Sequence, residues 1–142
     1  MVIKCTVSGS FRKFHEEILT AIETFENNEI EVLSPKKSKI VGQKDGFVFL
    51  ESDDIQNVRM LEDRHLRSIK NSHFLYVYNM NRYLGNSVIF EMGYTHGEKI
   101  PIFSLEPVND VTLREYVTEI ISPPKLCLKI NKGNYAFPKL PT

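Results

Sequence analysis

The chain has 142 residues, 42% of them apolar, and carries 18 Lys and Arg against 18 Asp and Glu. That length and apolar share suit one domain, residues 1–142, around one core. Zero net charge excludes the broad cationic footprint that nucleic-acid backbone or an anionic membrane surface requires, and it does little to keep copies apart, which is compatible with a homo-oligomer.

Val2 to Val7 reads as a short buried strand, broken by Ser8-Gly9-Ser10. The stretch is too short for the apolar region of a secretory leader, no apolar run approaches membrane-spanning length, and the expected compartment is the cytoplasm. Phe11 to Asn27 has helical spacing, with Phe14, Ile18, Leu19, Ile22 and Phe25 on one face and His15 on the exposed side. Ile30 to Leu33 follows as a second strand, completing a βαβ unit. Ser34 to Asp54 departs from this rhythm. A basic cluster, Lys36, Lys37 and Lys39, leads into Ile40-Val41, a polar Gly-containing turn and Phe47 to Leu50, which together suggest a small hairpin excursion. The lysines read as solvated surface or as a lure for a nucleotide phosphate.

Asp53-Asp54 is placed to cap a helix reaching about Lys70, with Ile55, Val58, Leu61, Leu66 and Ile69 as its apolar stripe. His65, flanked by Arg64 and Arg67, reads as a solvated or capping histidine. His73 to Tyr78 is nearly continuously apolar, as expected of a parallel strand covered on both faces. The polar loop Asn79 to Gly85 follows, and Asn86 or Ser87 is placed to cap a helix ending near Gly97. Ile100 to Leu105 is the fourth strand, Val111 to Ile121 the last helix, Ser122-Pro123-Pro124 its stop, and Lys125 to Ile130 a final edge strand. The tail through Pro138 and Pro141 reads as loose or laid on a partner. Cys5 and Cys127 lie in apolar runs as buried thiols rather than a disulfide. No His, Cys or carboxylate spacing suits a metal, and no cofactor is implied.

Alternating strands and helices with short connections predict an α/β, three-layer, flavodoxin-like or Rossmann-like open parallel sheet with helices on both faces. In such sheets ligands sit where loops leave the carboxyl ends of the strands. Two segments there carry chemistry. Ser8-Gly9-Ser10-Phe11-Arg12 joins strand to helix, with small residues that let backbone N–H groups approach an anion and an arginine able to clamp phosphate. Val88 to Tyr94 is a helix start that is apolar nearly all round, hence expected to be buried on more than one side, yet it contains Glu91. Ser87 is one turn earlier on the same face. The helix N-terminus favours an ionised carboxylate, which can serve as nucleophile or base, or else as a structural carboxylate paired with Arg82 or Arg12. Tyr76, Tyr78, Tyr83 and Tyr94 lie near the same crevice; core packing explains most, and one of them is free to stack on a base.

Val7 to Arg12, Leu61 to Tyr78, and Gly85 to Tyr94 running on through Lys99-Ile100-Pro101-Ile102 together resemble the nucleoside 2-deoxyribosyltransferase superfamily, which includes hydrolases of nucleoside 5′-monophosphates. The likeness spans roughly residues 2–107. Its strongest part is Glu91-Met92-Gly93-Tyr94 with the downstream Gly97 to Pro101, and Gly9-Ser10-Phe11-Arg12 is closest to the monophosphate hydrolases. The resemblance implies that Glu91 is the nucleophile attacking the sugar anomeric carbon, in the manner of a retaining glycosidase. It implies substrate contacts from Ser8, Gly9, Ser10, Phe11, Arg12, Gly85, Asn86, Ser87 and Tyr94. Where the family often places an aspartate on the preceding helix, this chain has His65, with Asp63 two residues before; where the transferases carry an acid ahead of the catalytic helix, it has Gly85-Asn86-Ser87. Members commonly complete each site with a loop from a second subunit. The expected partners are thus a nucleoside or nucleotide and a second copy of the chain. The expected activity is cleavage or transfer at the N-glycosidic bond, and the alternative is a non-catalytic nucleotide-sensing module of the same fold.

Overall fold

The computed structural model describes residues 1–137. Five parallel strands form its sheet: β1 Lys4–Gly9, β2 Glu31–Ser34, β5 Phe74–Tyr78, β6 Ile102–Ser104 and β7 Glu119–Ile120, in the order β2-β1-β5-β6-β7. Four helices accompany it: α1 Phe11–Asn27, α2 Val58–Lys70, α3 Asn86–Gly97 and α4 Pro123–Asn131. A separate antiparallel hairpin, β3 Ile40–Lys44 and β4 Phe47–Leu50, pairs only with itself.

Strand alternation builds the two cores. Phe74, Tyr76 and Tyr78 turn one way with Cys5 and Val7, against Ile18, Ile22 and Phe25 of α1 and Leu126 and Cys127 of α4. Leu75 and Val77 turn the other way, against Ile69 of α2 and Val88 and Met92 of α3. All five residues of β5 are buried, as a central parallel strand covered on both faces requires. The expected three-layer α/β fold is therefore present.

Several expectations need correction. β1 begins two residues late and runs through Ser8 and Gly9, because both still pair with Val77 and Tyr78 of β5. The cap of α2 is Asn57, whose side chain accepts from the Met60 N–H; Asp53 instead accepts from the Leu50 N–H at the hairpin's foot, and Asp54 binds Arg64. Of α2's expected stripe, only Ile69 is fully buried. Gly85 occupies the α3 cap position with no side-chain bond, so neither Asn86 nor Ser87 caps it. α3 buries one face, Val88, Glu91, Met92 and Thr95, and leaves Ile89 and Phe90 exposed.

The largest difference is at the C-terminal end. The expected helix Val111–Ile121 is a 3-10 turn, Leu113–Tyr116, followed by the short strand β7. The expected edge strand Lys125–Ile130 is the helix α4, which the two prolines start rather than stop. Proline at the first helical positions loses no hydrogen bond, since those N–H groups have no intrahelical acceptor. Of the tail expected to be loose, Pro138 and Pro141 lie outside the described residues, while Tyr135 and Phe137 before them pack on the first core.

Candidate active site

The chain leaves β1 to form β2 on one side, then returns to form β5 on the other. The strand order reverses between β1 and β5, and in doubly wound sheets that point opens a crevice at the carboxyl ends. Ser8 and Gly9 end β1 there. Gly9 has no room for a side chain: a Cβ would stand 3.0 Å from the Tyr78 carbonyl oxygen and 3.0 Å from Ile18 Cδ1. Close strand–helix packing at this point therefore requires glycine.

The crevice is a cavity of about 990 Å³, a volume suited to a nucleotide-sized ligand. The β1–α1 loop, the start of α3, one face of α2 and the β3–β4 hairpin enclose it. Glu91 lies in its wall at 5% exposure. Neither arginine considered from the sequence is its partner: Arg82 contacts Glu106 and Asn109 instead. The partner is His65, whose Nε2 is 3.5 Å from Glu91 Oε1. The imidazole is held at both nitrogens, Nδ1 at 2.7 Å from Ser34 Oγ and Nε2 at 3.2 Å from Ser8 Oγ. His65 is thus an internal residue that fixes Glu91, not a solvated one.

A second carboxyl completes the cluster. Glu62, one turn before His65 on α2, lines the same cavity and buries its Oε2 without a hydrogen-bond partner among the described residues. Burial pushes Glu62 upward, and the neighbouring charge of Glu91 pushes it further, to about 9. Burial also opposes ionisation of Glu91. The charge interaction with His65, 3.5 Å away, and the polar groups of Glu62 and Ser8 outweigh that penalty and hold Glu91 below the ordinary carboxylate range. The two carboxyls are thus pushed in opposite directions, Glu62 towards the protonated form and Glu91 towards the ionised one.

Ser8, Gly9, Ser10, Phe11, Arg12, His65, Gly85, Asn86, Ser87 and Glu91 all line this one cavity. Asp63 does not. It is half-exposed and paired with Arg59 one turn away. Tyr94 packs behind α3 against the second core, away from the cavity. Of the other tyrosines, Tyr76 is buried with its hydroxyl donating to the Ile121 carbonyl, and only Tyr83 reaches the cavity, with Lys13 Nζ 4.4 Å from its ring centre. His15 is half-buried, its Nε2 2.9 Å from the Ser38 carbonyl oxygen, rather than exposed.

Sequence reasoning missed Glu62 and Ser34. A signal for Glu62 existed: with Leu66 and Ile69 it forms an i, i+4, i+7 set facing the sheet, whereas Asp63 is rotated off that stripe. Ser34 carried none, because its role depends on β2 lying beside β1. Among the described residues no cluster of His, Cys or carboxylates could hold a metal ion, and no helix is long and apolar enough to cross a membrane.

No family model matches the chain, and no curated protein matches it. Among solved structures, a conserved protein from Enterococcus faecalis V583 superposes with a TM-score of 0.65 at 12% identity, over 94% of this chain and 99% of that one. A 3-dehydroquinate dehydratase-like protein from Bifidobacterium longum gives 0.45 at 10% identity, over 93% and 94% of the two chains. The first likeness establishes a shared fold, and the second is too loose to carry an argument.

Proposed function

We propose that this protein cleaves or transfers at the N-glycosidic bond of a nucleoside or nucleoside 5′-monophosphate, with Glu91 as nucleophile. The observation that carries the reading is the pair of carboxyls, Glu62 and Glu91, in one cavity wall, in surroundings that push them in opposite directions, because paired carboxyls with separated pKa values are the equipment of glycosidic chemistry. A Glu91 oxygen bonds to the anomeric carbon as the C–N bond breaks, and the base departs with that electron pair. A protonated Glu62, on the same cavity wall, supplies the proton that neutralises the leaving base. Water then takes the sugar in a hydrolase, or a second base takes it in a transferase.

Ser8, Ser10, Arg12 and Ser87 offer hydroxyls and a guanidinium around the same cavity, which suits a 5′-phosphate better than a bare hydroxyl. In this reading the protein works as a homo-oligomer, for which the exposed Ile89 and Phe90 on α3 offer an apolar surface. Sedimentation showing only monomer at assay concentration removes that part.

The test is a panel of nucleosides, deoxynucleosides and their monophosphates, with free base followed by chromatography. The expected result is base release by wild type that falls about a thousandfold or more in Glu91→Gln, with the melting temperature nearly kept, since the amide retains the shape and hydrogen-bonding capacity of the carboxylate. Turnover retained in Glu91→Gln rules out the nucleophile. Stabilisation by ligand with no base release on any substrate makes the cavity a nucleotide-sensing site instead.

A further inference from the structure

The hairpin β3–β4 is not part of the main sheet, yet its tip forms one wall of the cavity. It is tied down at its foot, by Glu51 N–H to the Lys39 carbonyl, Ser52 N–H to Ser38 Oγ, and Leu50 N–H to Asp53. At the other end, Lys44, Asp45, Gly46 and Phe47 face the cavity, and a Cβ at Gly46 would stand 3.7 Å from Arg12 Nε. The tip therefore lies directly over the arginine that starts α1.

Three cations meet on this side: Arg12 from α1, Lys36 from the segment after β2, and Lys44 from the end of β3. None has an ion-pair or side-chain hydrogen-bond partner among the described residues, whereas neighbouring Lys37 is paired with Glu26 and Arg64 with Asp54. Asp45 in the turn and Asp53 at the hairpin's foot line the same wall, so three cations face two acids there, and Asp53 is engaged by the Leu50 N–H. Like charges gathered from three separate elements around one cavity repel each other when the cavity is empty, and an anion relieves them. One phosphate at neutral pH carries about two negative charges and is already matched by Arg12 with the Ser8–Ser10 loop. Lys36 and Lys44 remain.

From this juxtaposition we infer that the hairpin is an anion clamp and that the cavity takes a pyrophosphoryl group, with Arg12 on one phosphate and Lys36 and Lys44 on the next. The inference deepens the reading of this cavity as a nucleotide site by making a nucleoside diphosphate a better ligand than a monophosphate. Phosphate bound under the tip also holds the hairpin against Arg12, a contact the hairpin otherwise makes with little more than its turn.

Calorimetric titration of the full chain with adenosine, AMP, ADP and inorganic pyrophosphate tests it without reference to turnover. ADP should bind about tenfold more tightly than AMP, and most of that gain should vanish in the Lys36→Gln, Lys44→Gln double variant. Lys37→Gln, outside the cavity, should leave it intact. Both lysines are exposed, so the variants keep the fold. Pyrophosphate binding as tightly as ADP assigns the clamp to the free pyrophosphoryl group, and weaker pyrophosphate binding assigns it to the nucleotide. ADP binding no better than AMP, or a gain untouched by the double variant, overturns the inference even if base release from monophosphates is observed. Failure of base release leaves it standing if the ADP preference and its lysine dependence hold.

Discussion

At the residue scale, the cluster of Glu91, Glu62 and His65 couples stability to pH in a way that can be measured. Glu62 is raised from the ordinary glutamate value of 4.5 to about 9, so the native state keeps a proton that the unfolded chain gives up near 4.5. Its contribution is complete below that value and is lost as pH rises through about 9. Glu91 has the opposite sign: its contribution is present above the ordinary glutamate value and is lost only as pH falls well below it. Between these limits the Glu62 effect dominates. Glu62→Gln, which needs no proton, should therefore melt progressively higher than wild type as pH rises from 5 towards 9. A displacement from 4.5 to about 9 corresponds to about 6 kcal/mol; solvent screening at the partly exposed Glu62 reduces this, and the gain by pH 9 should be at least about 1 kcal/mol, or roughly 4 °C for a domain of this size. Thermal melts of both proteins across that range check it; a difference that does not change with pH means that Glu62 is not held protonated. In the same range, base release by wild type should decline as Glu62 ionises, because the leaving base loses its proton source. A second prediction concerns Gly9. Gly9→Ala presses a methyl against the Tyr78 carbonyl, which cannot yield without moving β5, and should cost about 1–3 kcal/mol by denaturant titration.

At the scale of elements, α4 offers a direct contrast between two backbone periods. A strand over this segment places residues 126 and 128 on one face, and a helix separates them by about 200°. In the structure Leu126 is wholly buried beneath α1 and Leu128 is 59% exposed. Leu126→Ala should accordingly cost about 2–5 kcal/mol, and Leu128→Ala should stay within about 0.5 kcal/mol. Similar losses from both would restore the edge strand. The alternating pattern that suggested a strand here, Leu126, Leu128, Ile130, is also compatible with a short helix whose remaining face is covered by nothing. Only the presence of α1 above Leu126 and Cys127 decides between them. The same reasoning applies to α3. An apolar run predicted burial all round, but the sheet covers one side only, and Ile89 and Phe90 are left outside.

At the scale of the whole molecule, the five-stranded sheet and the hairpin are mechanically distinct. β1 and β5 each have parallel neighbours on both sides and buried side chains on both faces, while the hairpin has one partner strand and Ile40 and Val41 facing out. Amide hydrogen exchange should separate them. β1 and β5 amides should exchange only on global opening, and the amides of Ile40–Leu50 should exchange orders of magnitude faster by local opening. Saturating ligand should slow the hairpin selectively. Equal protection of hairpin and sheet would show that the two open as one unit.

The α/β class, the first βαβ unit and the two segments that bring Ser8–Arg12 and Glu91 to the strand ends were legible from local patterns alone. Hydrophobic period, small-residue breaks and a lone carboxylate in an apolar run are properties of neighbours in the chain. What Glu91 touches was not legible. His65 looks solvated beside Arg64 and Arg67 until α2 packs with Ser34 on one side of its ring and Ser8 on the other. Glu62 rather than Asp63 reaches the cavity because the helix turns about 100° per residue, and only docking on the sheet selects which angle faces inward. The opposed shifts of Glu62 and Glu91, the cations of Arg12, Lys36 and Lys44 around one space, and the hairpin above them all join groups from different elements. Their energies depend on distance in space and on lost water, and neither quantity exists along the sequence until the sheet order β2-β1-β5-β6-β7 has brought the strand ends together.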